Sequence, residues 1–250
     1  MPERELQITQ FLCSRDMDSV DVGANVGDYS KEMAPNSRKV YAFEPVQKLF
    51  EALSKSRFAK RYGMIVYPYA LSDKNGEAVM YIPRFINRFN KSYPLNAMAS
   101  LNESLDVYFS QNSKGYLGEN KVSVETRTLD SFNLENLGFI KIDVEGHEEE
   151  ILRGAMKTIS ASHPHILVEI EERLNAGGHE RVGDFMTRQG YLGFFIDEEG
   201  LLRPFEKFCV VDMQLDPLSK KHTLSPNIPG YINNFIFIHK TQLNIIESLI

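Results

Sequence analysis

Strand-like and helix-like segments alternate through the first 195 residues of this 250-residue chain, and this alternation is its strongest constraint on the fold. Short apolar runs predict strands, and apolar residues at helical spacing predict the helices between them. The predicted strands span residues 19–23, 39–43, 65–71, 138–144, 165–170, 191–196 and, near the carboxyl terminus, 234–239. Strands that alternate with helices form a mostly parallel sheet with helices on both faces. The prediction is therefore an α/β fold with a seven-stranded sheet, whose ligands bind beyond the carboxyl ends of the strands.

Four helices and two insertions complete the predicted organisation. The helices span residues 28–34, 45–60, 148–159 and 179–189. The insertions, at about 84–120 and 197–231, have the length typical of lids, binding loops or mobile surface loops. Strands at 79–82 and 121–126 flank the first insertion. We expect one domain over residues 1–250.

The composition excludes several classes of protein. A net charge of −6 argues against general nucleic-acid binding, which needs clustered Lys and Arg. No apolar run is long enough to span a membrane, and the charged amino terminus lacks a signal core. Two cysteines, Cys13 and Cys209, form neither a disulfide framework nor a metal-binding pattern. A cytoplasmic location is expected from these features.

The first predicted strand runs into a glycine turn. Gly23 and Gly27 permit a tight turn with close approach of a ligand, and Asn25 tolerates left-handed backbone geometry. Glu44 follows Gly23 by 21 residues and ends the second strand, where a carboxylate can accept both hydroxyls of a ribose. The alternative for the glycines alone is an ordinary strand-to-helix turn.

Two aspartates indicate which nucleoside fits this turn. The dinucleotide pattern of three glycines is absent, and Asp28 would place a negative charge near a pyrophosphate. Asp21 and Asp28 suit a nucleoside with a cationic tail better. S-adenosylmethionine, with its sulfonium and amino groups, is such a ligand.

The fourth predicted strand carries charges on one face. Lys141, Asp143 and Glu145 alternate with apolar residues, although a central parallel strand is normally apolar on both faces. They form either a buried ion network or a functional cluster at the sheet edge. His147 follows at the start of the next helix, where it is either a general base or an exposed helix cap.

Taken together, the motifs resemble the FkbM-type family of S-adenosylmethionine-dependent methyltransferases. The segment IKIDVEGHEEEILRGA is the most specific, and the DVGAN turn occurs across many methyltransferases. The other matching segments are residues 20–30, 40–45, 69–78 and 127–132, and less specifically 163–170 and 233–239.

This resemblance implies a Rossmann-like class I methyltransferase fold and O-methylation, commonly of a sugar or polyketide hydroxyl. It implies contacts to S-adenosylmethionine from the turn at 21–28, from Glu44, and from Ser72 and Asp73 after the third strand. The expected acceptor is a small molecule or a glycan. The acceptor's identity does not follow from the resemblance, because family members would differ in the two insertions.

Transfer to a hydroxyl needs a general base or a metal ion. Asp143 is the first choice as base or metal ligand, and as the carboxylate at the centre of the cofactor site. Glu145 and Glu169 are expected helpers, and Lys141 would hold these carboxylates ionised or orient the acceptor. A Mg²⁺ or Mn²⁺ ion bound by Asp143 and Glu169 is the metal alternative.

Three other functions are alternatives to this hypothesis. An NAD-dependent oxidoreductase would need a glycine pattern that this turn lacks. A nucleic-acid methyltransferase is a nearer rival, but the chain has no Asp/Asn-Pro-Pro-aromatic tetrapeptide and no Pro-Cys pair. A non-catalytic nucleoside-binding module would bind the ligand without turnover.

Overall fold

The computed structural model describes residues 4–86, 91–103, 105–221 and 228–248. Within these residues a mostly parallel eight-stranded sheet forms the centre of the molecule. Its strands, in chain order, are β1 (Asp18–Val22), β2 (Lys39–Phe43), β3 (Ile65–Tyr67), β8 (Leu137–Ile142), β9 (His165–Glu169), β10 (Tyr191–Ile196), β11 (Leu202–Pro204) and β12 (Asn234–His239). The sheet confirms the predicted α/β class and adds β11, a short strand inside the second insertion.

The strand order across the sheet is β11-β10-β12-β9-β8-β1-β2-β3. Neighbouring strands from β9 to β3 pair in parallel, whereas β12 is antiparallel to both β9 and β10. The chain proceeds from β1 towards one edge, then returns to place β8 on the other side of β1. This reversal makes the carboxyl ends of β1 and β8 the expected ligand-binding position.

Nine helices within the described residues connect these strands, most of them short. They are α1 (Arg4–Leu12), α2 (Asp28–Met33), α3 (Gln47–Ser54), α4 (Arg57–Tyr62), α5 (Leu105–Asn112), α6 (Glu148–Arg153), α7 (Met156–Ser162), α8 (Gly178–Arg188) and α9 (Asp216–Lys221). No helix among the described residues is long and apolar enough to cross a membrane.

Two predicted helices are each divided into two. The helix predicted at 45–60 is interrupted before Ser56, whose Oγ accepts the Ala59 N–H and begins α4. The helix predicted at 148–159 is interrupted at Gly154. A Cβ at Gly154 would overlap the carbonyl oxygen of Ser72, so the chain following the third predicted strand packs directly on this glycine.

The strand predicted at 65–71 is also divided, because Pro68 in its middle lacks the N–H that a ladder needs. Its second part forms β4 (Ala70–Leu71), which belongs to a separate four-stranded sheet. The other strands of that sheet are β5 (Gly76–Ile86), β6 (Ser92–Pro94) and β7 (Tyr116–Arg127), in the order β4-β7-β5-β6.

The first insertion is therefore largely regular structure, although residues 87–90 and 104 lie outside the described part. Its core is aromatic: the ring of Phe109 on α5 lies 5.5 Å from Phe85 and 5.7 Å from Tyr116. Phe109 is fully buried, and Leu174, which follows β9, belongs to the same cluster. The insertion thus packs against the segment that leaves the carboxyl end of the main sheet. Residues 222–227 of the second insertion also lie outside the described part.

Apolar side chains cover both faces of the main sheet. On β8, Ile140 and Ile142 enter one core cluster and Phe139 enters the other. The stripe predicted for residues 151–159 faces the first cluster, with Ile151, Leu152, Ala155 and Ile159 buried. Burial on both faces makes a charged side chain on β8 costly unless it has partners.

Candidate active site

The turn after β1 needs glycine because two backbones meet there. Gly23 has φ +79°, and a Cβ at this position would overlap the carbonyl oxygen of Asp143, which follows β8. Asn25 has φ +49°, a conformation that asparagine tolerates well. Gly27 packs on α3, since a Cβ there would lie 2.5 Å from Leu53 Cδ1. The close approach at Gly23 thus joins the ends of β1 and β8.

Glu44 connects this turn to the second strand. Its Oε2 accepts the Asn25 N–H at 2.7 Å, and its Oε1 accepts the Val46 N–H at 2.8 Å. Burial raises the pKa of Glu44 to about 7, although both backbone donors favour the carboxylate. The carboxyl group is therefore held in one orientation beside the glycine turn.

A cavity opens at this edge of the sheet, and we call it the inner cavity. Gly23, Asn25 and Glu44 form one side of it, and Asp143, Glu145 and His147 form another. Further lining comes from the third predicted strand, from β5 and from the segment after β6: Tyr69, Ala70, Leu71, Met80, Asn96, Ala99 and Leu101. The glycine turn, Glu44 and the end of β8 therefore meet in one space.

Five residues expected at the cofactor site, Asp21, Gly27, Asp28, Ser72 and Asp73, are not part of the described lining of the inner cavity. Asp21 is buried within β1 and accepts a hydrogen bond from Ser30 Oγ at 2.5 Å. Burial raises its pKa to about 6. Asp28 is exposed on α2 and pairs with Lys31 at 2.8 Å. Among the described residues, the lining of the inner cavity includes neither these aspartates nor Ser72 and Asp73; it includes the preceding Tyr69, Ala70 and Leu71.

Lys141 is fully buried in β8 and has several partners. Its Nζ donates to Asn234 Oδ1 at 3.1 Å and lies 3.8 Å from Glu169 Oε2 and 4.0 Å from Asp143 Oδ2. The ammonium group also lies 4.8 Å from the ring centre of Tyr29 on α2. These contacts offset the cost of burying a cation, and they make Lys141 part of the buried ion network that was one alternative from the sequence.

The carboxylates around Lys141 form an acidic group that extends past the sheet edge. Burial, reinforced by neighbouring carboxylates, raises the pKa of both Glu145 and Glu169 well above the usual range. Asn233 Nδ2 donates to Glu169 at 2.5 Å. Asp143 has the more accessible side chain, 34% exposed against 15% for Glu169. Asp143 is thus the carboxylate better placed to meet a ligand.

The two carboxylates suggested as metal ligands lie on either side of a lysine. Asp143 and Glu169, the suggested ligands of Mg²⁺ or Mn²⁺, are the two carboxylates that flank the Lys141 ammonium group. Among the described residues no group of three or more His, Cys, Asp or Glu side chains could hold a metal ion. In this structure the positive charge beside both carboxylates is supplied by the lysine.

His147 lies between the inner cavity and the loop after β4. Its Nε2 is 3.0 Å from Ser72 Oγ, and its Nδ1 is 3.6 Å from Glu150 Oε2. Burial lowers the pKa of His147, so the neutral imidazole is favoured. The exposed-cap alternative does not describe this residue, because its side chain is only 18% exposed and lines the cavity.

The first insertion also holds the turn that carries Glu145. Ser100 Oγ donates to the carbonyl oxygen of Glu145 at 2.7 Å and accepts the Asn102 N–H at 2.9 Å. Glu145 has φ +59° and Gly146 has φ +100°. A Cβ at Gly146 would lie 2.7 Å from Asn102 Nδ2, so the glycine leaves room for this contact. The left-handed conformation of Glu145 is thus stabilised from the insertion.

Sequence reasoning missed Ser100, Asn102, Asn234 and Tyr29 as parts of this site. Asn234 and Ser100 lie 93 and 45 residues from the partners they contact. No local spacing marks such residues. The one available signal was the Asn-Asn pair at the start of the last predicted strand, since a polar pair there is unusual in a buried strand.

The strand order, with β12 antiparallel between β9 and β10, and the cavity at the reversal point are those of a Rossmann-like α/β fold. The chain belongs to the FkbM methyltransferase family, because the profile of the Methyltransferase FkbM domain matches residues 21–192. No curated protein matches its sequence significantly.

Three solved structures are similar to this chain. The methyltransferase FkbM from Methylobacillus flagellatus KT has 14% identity and a TM-score of 0.50; the match covers 90% of this chain and 44% of that one. This chain therefore spans less than half the length of that protein. An rRNA methylase from Streptococcus thermophilus has 10% identity and a TM-score of 0.48, with 96% and 98% of the two chains covered. An O-methyltransferase from Bacillus cereus in complex with SAH has 12% identity and a TM-score of 0.43, with 95% and 80% covered.

Proposed function

We propose that this protein transfers a methyl group from S-adenosylmethionine to a hydroxyl oxygen of a small molecule or glycan. One observation supports this proposal most strongly. The inner cavity is lined by the Glu44 carboxylate on one side and by Asp143, Glu145 and His147 on another. A nucleoside site and a group of titratable side chains therefore share one space, as methyl transfer to a hydroxyl requires.

The residues of the inner cavity fit a nucleoside donor. Each Glu44 oxygen accepts one backbone N–H and retains a second lone pair for a ribose hydroxyl. Asp143 and Glu145 supply negative charge for the cationic end of the donor.

The reaction is an in-line displacement. Bound S-adenosylmethionine supplies the methyl carbon, and the bond from oxygen to carbon forms while the carbon–sulfur bond breaks with its electron pair on sulfur. We assign Asp143 as the general base that removes the hydroxyl proton and later releases it to water. Lys141 and Glu169 position the Asp143 carboxylate, and Glu145 lies beside the proton path.

The proposal is tested by transfer of labelled methyl groups to sugars, lipid-linked glycans, RNA and DNA, with and without EDTA. We expect an O-methyl product from a hydroxyl compound, identified by NMR, and binding of S-adenosylhomocysteine but not NADH in calorimetry. Activity that EDTA abolishes and Mg²⁺ or Mn²⁺ restores would favour the metal alternative at Asp143 and Glu169. Transfer to RNA or DNA alone, or binding without any transfer, would contradict the proposal.

A further inference from the structure

A second cavity lies next to the inner cavity, and we call it the outer groove. It has a volume of about 580 Å³ and is open to solvent. Its described lining includes Tyr81 on β5, residues 101–103 of the first insertion, and His147 and Glu150 at the start of α6. The groove thus lies between the second sheet and the helix that follows β8.

The two cavities share a wall. Leu101 and His147 line both of them. Transfer of a group between two bound molecules requires adjacent sites, with the reacting atoms roughly 3–3.5 Å apart. The outer groove has the size of a small-molecule site, roughly 300–1,000 Å³. Two sites that meet at Leu101 and His147 satisfy this requirement.

We propose that the outer groove binds the methyl acceptor, and that it selects an uncharged hydroxyl compound of the size of a sugar. The reacting oxygen enters the inner cavity beside His147, where its proton goes to Asp143 as the methyl carbon leaves sulfur. This inference rests on the proposed function, because it needs a methyl donor in the inner cavity.

The charge of the groove supports this selection. Glu103 and Glu150 supply carboxylates, and the described lining contains no Lys or Arg. Carboxylates accept hydrogen bonds from hydroxyl groups and repel phosphates at short range. The nearby Lys121 lies over Tyr81, 5.1 Å from the ring centre, and pairs with Glu119 at 3.5 Å. An acceptor with phosphate close to its reacting hydroxyl is therefore disfavoured.

The shape of the groove is already formed without a ligand. Asn102 is held by a hydrogen bond from its Nδ2 to the Leu174 carbonyl oxygen at 2.7 Å. The Tyr81 backbone is paired in both directions with Ser100. These bonds fix the Tyr81 strand against the 100–102 segment, so the Tyr81 ring offers a flat apolar surface for the C–H face of a sugar.

Binding is measured by saturation-transfer NMR on the full chain saturated with S-adenosylhomocysteine. The probes are methyl β-D-glucopyranoside, which is neutral, and glucose 6-phosphate. We expect the neutral probe to bind better to the unmodified chain. Tyr81→Ala is expected to weaken its binding by roughly three- to tenfold. Glu103→Lys combined with Glu150→Lys is expected to shift the preference towards the phosphate by roughly fivefold or more.

Glu32→Lys combined with Glu206→Lys, at two exposed positions outside the described lining of both cavities, makes the same charge change and is the matched control. Calorimetry with S-adenosylhomocysteine verifies that each variant folds, because it measures binding to the inner cavity alone. The inference is overturned if the unmodified chain prefers the phosphate or binds neither probe, or if the groove substitutions change nothing. Loss of S-adenosylhomocysteine binding by the unmodified chain would instead overturn the proposed function.

Discussion

At the scale of single residues, Glu44 has the clearest assigned task. Both of its oxygens are oriented by backbone donors, so the carboxylate is in place before a ligand arrives. Removing a hydrogen-bonding partner of this kind costs about 1.5–3 kcal/mol when the group is charged. We therefore expect Glu44→Ala to weaken S-adenosylhomocysteine binding by about this amount in calorimetry. Glu51→Ala, an exposed change on α3, is the control and is expected to leave the affinity unchanged.

Asp143 is assigned as the general base, so its substitution is expected to change catalysis more than ligand affinity. Asp143→Asn keeps the size of the side chain but removes the base, so methyl transfer should be abolished. Because Glu44 and the glycine turn remain, affinity for S-adenosylhomocysteine should stay within about tenfold, or about 1.4 kcal/mol. Single-turnover assays and calorimetry measure the two quantities separately. Unchanged turnover would remove Asp143 from the mechanism.

At the scale of elements, the contact between the first insertion and the 145–146 turn can be tested through Ser100. Ser100→Ala removes the donor to the Glu145 carbonyl oxygen and the acceptor for the Asn102 N–H. We expect a stability loss of about 1–3 kcal/mol from the groups left without partners. We also expect a lower kcat with little change in S-adenosylhomocysteine affinity, because Ser100 does not line the inner cavity among its described residues.

Two quantities are measured for Ser100→Ala: kcat, and the free energy of unfolding in urea. Ser110→Ala, an exposed change on α5, removes a hydroxyl that donates to the Val107 carbonyl oxygen of its own helix. It should affect neither quantity. If Ser100→Ala lowers stability but leaves kcat unchanged, the contact stabilises the fold without positioning Glu145.

The elements of the main sheet were largely predictable, and the second sheet was not. Strands β2, β10 and β12 have the predicted bounds, because each is a run of alternating or continuous apolar residues. The insertion was predicted as a loop, since its apolar residues show no regular period. The regular structure of the insertion is stabilised by Phe85, Phe109 and Leu174, which are distant in the sequence but pack together.

At the scale of the whole molecule, buried carboxyl groups make stability depend on pH. Burial raises the pKa of Glu44 and of Glu148 to about 7 in the folded state. In the unfolded chain the pKa of a Glu carboxyl is about 4.5. Between these values the folded protein binds more protons than the unfolded one, so its free energy of unfolding falls as pH rises.

We therefore expect the ligand-free protein to be less stable to urea at pH 7 than at pH 5. Glu148→Gln removes one of these groups and should make the pH dependence shallower over this range. The exposed change Glu32→Gln is the control and should leave the slope unaltered. Stability that rises from pH 5 to pH 7 would contradict this account of the buried carboxyls.

The sequence alone determined the parallel sheet, the glycine turn, Glu44 and the charged face of β8. These features depend on residue periods and on backbone angles, which act over a few neighbouring residues. Only the tertiary structure decided the partners of Lys141, the order in the first insertion and the outer groove. Their contacts join residues such as Lys141 and Asn234, 93 positions apart, and no local period encodes which distant side chains will pack together.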